Sequence, residues 1–119
     1  MNAEELTSKL KCLLVELTAN RKQAAHQWQV GGRGKIKLVN LAWDVVKGDI
    51  EVLGKDLALT LRFAYGEVWR FKTIVENYDS FGDPLPSGNP LQSLMDDKAI
   101  RAQIALIRAE QELSGYLTR

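Results

Sequence analysis

The side chains that most often carry out chemistry in proteins are sparse in this sequence. Its 119 residues include one histidine, His26, and one cysteine, Cys12. A metal site needs several close ligands and a nucleophile needs a neighbouring base, and neither residue has such companions in the sequence. Carboxylate pairs such as Asp96 and Asp97 are typical of helix ends and solvent-facing surfaces. We therefore predict no catalytic residue, no metal ligand and no cofactor, and a protein that is not an enzyme.

A glycine-rich segment, residues 31–35, has the composition of a phosphate-binding loop but not its order. A Walker loop has a glycine five residues before its Gly-Lys pair and Ser or Thr directly after that pair. Gln29 and Ile36 stand at those two positions. We therefore interpret the segment as a link between two helices.

The charges are unevenly distributed along the chain. The net charge is +1, but residues 1–40 carry +4 and residues 41–119 carry −3. Cations around the first link could contact phosphates, which gives one functional hypothesis: a small nucleic-acid-binding accessory protein. The residues assigned to that contact are Arg21, Lys22, Arg33, Lys35 and Lys37.

Apolar residues recur at helical spacing through most of the chain and predict an all-α fold. In the third segment, apolar residues from Leu57 to Tyr78 advance by alternating steps of four and three. In the first segment, a leucine stripe faces the core and Glu16 is assigned to the opposite, polar side. We predict one domain, residues 1–119, folded as an antiparallel bundle of three long helices and one short helix. The predicted helices are 3–29, 38–52, 55–79 and 90–117.

The second of these helices has a competing interpretation. Val39, Leu41, Trp43 and Val45 alternate as they would in a half-buried strand, and Ile50 to Leu53 could pair with them. An isolated two-stranded hairpin is marginally stable, which favours the helix over the hairpin.

Scattered residues between positions 12 and 78 resemble a helical region found in many uncharacterised bacterial and archaeal proteins, where it often follows a membrane segment. The matching positions are Glu16-Leu17-x-x-Asn20, Ala42-Trp43, Leu53, Leu57, Leu61 and Tyr65-x-x-Val68. The chain departs from that pattern at Lys72, where an asparagine is frequent. The resemblance implies a helical fold and no known activity.

Aromatic residues of the third helix, of which Phe63 and Trp69 lie partly off the main apolar stripe, predict a surface for a partner. Together with the long third helix, they suggest a non-catalytic interaction or scaffold module that self-associates through this helix or the C-terminal helix, as a homodimer or with another protein partner. The residues assigned to this interface are Phe63, Trp69, Phe71 and Tyr78. No apolar run approaches the roughly 18 residues needed to cross a bilayer, so we expect a soluble, cytoplasmic protein.

Overall fold

The computed structural model describes the backbone of residues 2–30, 37–79 and 90–119, and the side chains of residues 2–25, 37–76 and 93–119. All regular structure in these ranges is helical. The helices are α1 (Ala3–Val30), α2 (Leu41–Val46), α3 (Lys55–Asp79) and α4 (Pro90–Leu117), and a 3-10 helix (Lys47–Leu53) follows α2 directly. The predicted all-α fold is confirmed, and the long helices begin and end within one residue of their predicted bounds.

The short second helix differs from its prediction. Instead of one helix over 38–52, the chain forms a single α-helical turn and a half from Leu41 and then tightens into the 3-10 helix at Lys47. The alternative hairpin is wrong, because residues 37–79 contain no strand. Gly54 ends the segment with a φ of 97°, a backbone conformation that glycine adopts more readily than any other residue.

Two local signals explain where the long helices begin. The Oδ1 of Asn2 accepts a hydrogen bond from the backbone amide of Glu5 at 2.8 Å, as the Asn-x-x-Glu spacing predicts for a helix start. Pro90 is the first residue of α4, a position where its missing amide hydrogen costs nothing.

The bundle is organised around α4, which packs against both α1 and α3. The α2 segment contacts α1 and the 3-10 helix contacts α3, so this short stretch bridges the two outer helices. Leucines from α1, alanines from α4 and both kinds of residue from α3 form the core between them. The molecule measures 51 × 19 × 19 Å, with a radius of gyration of 15.5 Å against about 13 Å for a compact domain of this size.

Candidate functional site

Polar side chains on one side of α1 hold the segment that leads into α2. Asn20 and Gln23 are four and seven residues after Glu16, so the three lie along one side of the helix. The buried Asn20 donates from Nδ2 to the carbonyl of Val39 at 2.8 Å and accepts from the amide of Val39 at 2.9 Å. The Oε1 of Gln23 accepts from the amide of Lys37 at 3.2 Å. These bonds pair backbone groups of Lys37 and Val39, which lie outside any helix and therefore lack helical hydrogen bonds.

Glu16 supplies the cap that α2 does not have from its own sequence. Asn40 precedes α2, but its side chain donates to Asp44 and caps no amide. Glu16 Oε2 instead accepts from the amide of Ala42 at 2.8 Å, and Oε1 accepts from the amide of Trp43 at 3.1 Å. A carboxylate is favourable here because the first amides of a helix are unpaired and carry partial positive charge.

The same carboxylate also binds α3. The hydroxyl of Tyr65 donates to Glu16 Oε1 at 2.6 Å, and the Tyr65 ring stacks on Trp43 with centroids 4.7 Å apart and planes 6° from parallel. Burial raises the pKa of Tyr65 well above its usual value, and the hydrogen bond to Glu16 and the negative charges of Glu16 and Asp44 raise it further. Tyr65 therefore stays protonated and keeps donating.

We refer to Glu16, Asn20, Trp43 and Tyr65 as the Glu16 cluster. All four are among the residues that carry the resemblance to the uncharacterised helical region, and the fold brings them together. Both Glu16 oxygens are occupied by donors from its own chain, so the arrangement joins three helices and presents no open site. The assignment of Glu16 to the solvent-facing side was wrong, since its side chain is buried. The sequence held one signal of this burial: Asn20, four residues after Glu16, is a polar residue within the leucine stripe.

A different surface is open to a partner. Leu59 and Phe63 on α3 and Ile104 on α4 are 61%, 61% and 63% exposed, and they line one groove of about 480 Å³. We call this surface the α3–α4 face. The charged residues Asp56, Arg108 and Glu112 also line the groove, and Ile100 and Ile107 are partly exposed on α4. Large apolar side chains grouped on one exposed surface are typical of interaction sites.

The four residues predicted for the partner interface do not share this surface. Phe63 lies on it, but Trp69 is six residues further along α3, about 120° around the helix, and lines a separate groove with Trp43 and Lys72. Phe71 is fully buried in the core, so its assignment to an interface is wrong. The side chain of Tyr78 lies outside the described residues. The prediction missed Leu59 and Ile104 because it considered aromatic residues alone.

The five cations assigned to nucleic acid are also divided. Arg21 forms an ion pair with Glu110 on α4, and Thr18 donates to the same carboxylate at 3.0 Å. Lys22 and Lys37 are exposed. Arg33 and Lys35 lie outside the described residues. The pairing of Arg21 therefore ties α1 to α4 and neutralises one of the cations that the hypothesis needs.

Glu67 is a buried acidic residue on α3 with one partner. Its Oε1 accepts from Arg70 at 2.9 Å, whereas its buried Oε2 has no hydrogen-bond partner among the described residues. A buried carboxylate oxygen without a hydrogen bond lowers the free energy of unfolding.

Comparison of the chain with protein-family models, curated proteins and solved structures found no significant match. Within the described ranges, no three His, Cys, Asp or Glu side chains are grouped as metal ligands. None of the described helices combines the length and the hydropathy that a membrane-spanning helix requires.

Proposed function

We propose that this chain is a non-catalytic helical interaction module that self-associates through the α3–α4 face. The observation that carries the proposal is the shared exposure of Leu59, Phe63 and Ile104 along one groove. These residues come from two helices that pack against each other, so the surface is already formed in the single chain.

The gain in free energy comes from covering those apolar groups. Fully burying a Leu, Ile or Phe side chain contributes about 1.5–3 kcal/mol, and a symmetric pair of copies would cover each of them twice. Phe63, as the aromatic residue in this set, is the expected anchor because aromatic side chains contribute most to interfaces. Asp56, Arg108 and Glu112 would form the polar rim.

Sedimentation equilibrium on the purified chain tests the proposal. We expect a concentration-dependent dimer for the natural sequence and a monomer for Phe63→Glu, because the substitution would place a charge in the apolar centre. Val15→Glu is the matched control, since Val15 is an equally exposed apolar residue on α1. A monomer at high micromolar concentration, or a dimer that survives Phe63→Glu, would exclude self-association through this face.

The alternative proposal is a nucleic-acid-binding accessory protein, supported by the exposed Lys22 and Lys37. It predicts binding to single-stranded DNA that weakens steeply with salt, because each phosphate contact releases a counterion. The double variant Lys22→Glu with Lys37→Glu should abolish that binding. Binding that persists in the variant, or no binding at low salt, would exclude it.

A further inference from the structure

A single line of residues runs along the exposed side of α3. Asp56, Leu59, Phe63, Gly66 and Arg70 follow one another at steps of three, four, three and four residues. On an α-helix these steps keep side chains on one side, and all but the half-buried Gly66 are exposed. We call this line the α3 stripe. Its first three members also line the groove of the α3–α4 face. Gly66 and Arg70 lie beyond that groove.

The α3 stripe has opposite charges at equal distances from its centre. Asp56 is seven residues before Phe63 and Arg70 is seven residues after it. At about 1.5 Å per residue, the backbone positions of Asp56 and Arg70 each lie about 10 Å from that of Phe63 along the helix axis, in opposite directions. An identical helix running the other way, centred on the same phenylalanine, would therefore place each aspartate opposite an arginine.

We propose that the second copy binds with its α3 antiparallel to this α3, the two-fold axis passing beside Phe63. The proposal rests on the self-association proposed above and adds its orientation. A two-fold interface repeats each contact, so one Asp56–Arg70 pair between the copies requires a second. A parallel arrangement would instead place Asp56 against Asp56 and Arg70 against Arg70, which electrostatic repulsion disfavours.

The uncharged positions of the α3 stripe fit the same orientation. Gly66 is three residues after Phe63, so it lies opposite Thr60 of the second copy, with Leu59 of that copy beside it. A Cβ placed on Gly66 would contact only the guanidinium of Arg70, at 3.5 Å, so the backbone there is open to an approaching side chain. The leucine of one copy would thus pack over the glycine of the other.

Both charged residues lie at the surface, and Arg70 already forms an ion pair with Glu67. Asp56 has no ion-pair partner among the described residues, and the side chain of Arg70 is half exposed. Arg70 uses Nη1 to bind Glu67 within its own helix, and a guanidinium has further N–H donors for a second carboxylate. Because the pair lies at the rim, we expect it to determine orientation more than affinity.

Exchange of the two charges tests the orientation by sedimentation equilibrium. Asp56→Arg alone and Arg70→Asp alone each create two like-charge contacts, and we expect each to weaken the dimer about tenfold or more. The double variant restores both pairs in reversed order and should recover the natural dimerisation constant. Asp49→Arg, the same change at an exposed position of the 3-10 helix, is the control and should leave dimerisation unchanged.

The outcomes separate this proposal from the one on which it rests. A dimer lost on Phe63→Glu but unaffected by either single charge reversal would keep the self-association and overturn the antiparallel pairing of α3. Rescue of Asp56→Arg by Arg108→Asp, rather than by Arg70→Asp, would overturn it in favour of α3 packing on α4 of the second copy. Circular dichroism checks that each variant is folded. If a charge reversal unfolds the protein, a double-mutant cycle of Asp56→Asn and Arg70→Gln tests the same pair.

Discussion

The hydroxyl of Tyr65 on α3 donates a 2.6 Å hydrogen bond to the carboxylate of Glu16 on α1, although the two residues are 49 positions apart. The same carboxylate accepts the first free amides of α2. Three helices therefore meet at one buried charge whose two oxygens are both occupied. Because α1 and α3 each pack mainly against α4, this charge links two helices that have little direct packing on each other.

Removal of the Glu16 carboxylate should destabilise the fold strongly. In Glu16→Ala, two backbone amides and the Tyr65 hydroxyl lose their acceptor, and a buried donor without a partner costs about 1–3 kcal/mol. We expect the free energy of unfolding in urea to fall by about 3–5 kcal/mol. Glu4→Ala, on the exposed first turn of α1, is the control, with an expected change below about 1 kcal/mol. Equal effects of the two substitutions would contradict the assigned role.

Tyr65 should make the stability of the protein sensitive to alkaline pH. Its folded pKa is raised, so above about pH 10 the unfolded state loses a phenolic proton that the folded state keeps. The free energy of unfolding should then fall by up to about 1.4 kcal/mol per pH unit from this residue. Its contribution is fully present below the unfolded pKa.

Tyr65→Phe isolates that effect. The variant should cost about 1.5–3 kcal/mol at neutral pH, because it removes a hydrogen bond to a charged group and keeps the ring that stacks on Trp43. Its stability should decline less steeply above about pH 10 than that of the natural sequence. Urea titrations at several alkaline pH values measure both slopes, and parallel slopes would contradict the shifted pKa.

Neutralisation of Glu67 should stabilise the protein. Glu67→Gln keeps an oxygen to accept from Arg70 and removes a buried charge whose second oxygen has no partner among the described residues. We expect the free energy of unfolding to rise by about 1 kcal/mol, because a neutral amide costs less to bury than a carboxylate with one unpaired oxygen. Thermal unfolding followed by circular dichroism measures the change. A lower midpoint would show that the full charge is needed.

Truncation of two aromatic residues on α3 should change the stability by very different amounts. Phe71→Ala opens a cavity in the core and should lower the free energy of unfolding by about 3–5 kcal/mol. Trp69→Ala, at a side chain that is 67% exposed, should change it by less than about 1 kcal/mol. It should also leave dimerisation unchanged, since Trp69 lies off the α3–α4 face. Dissociation of the dimer by Trp69→Ala would instead indicate that the interface lies at the groove beside Trp43.

Local signals explain why the long helices were predictable. The regular spacing from Leu57 to Tyr78 and the proline at position 90 act within a few residues, and helix formation depends on the same range. The short second helix was less predictable because its apolar residues fit both the two-residue period of a strand and the 3.6-residue period of a helix. Glu16 and Asn20, which are distant in sequence, accept hydrogen bonds from the backbone amides of this segment. Residues 37–43 by themselves therefore do not predict where the helix begins.

Residue types at helical spacing were enough to predict the three long helices and their order along the chain. The burial of Glu16, the place of Phe71 in the core, the exposed line along α3 and the groove that Phe63 shares with Ile104 all depend on how the helices pack. The physical reason is that burial depends on which neighbour covers a side chain. That neighbour is set by the packing of α4 between α1 and α3, and by hydrogen-bond donors that are 26 to 49 positions away along the chain.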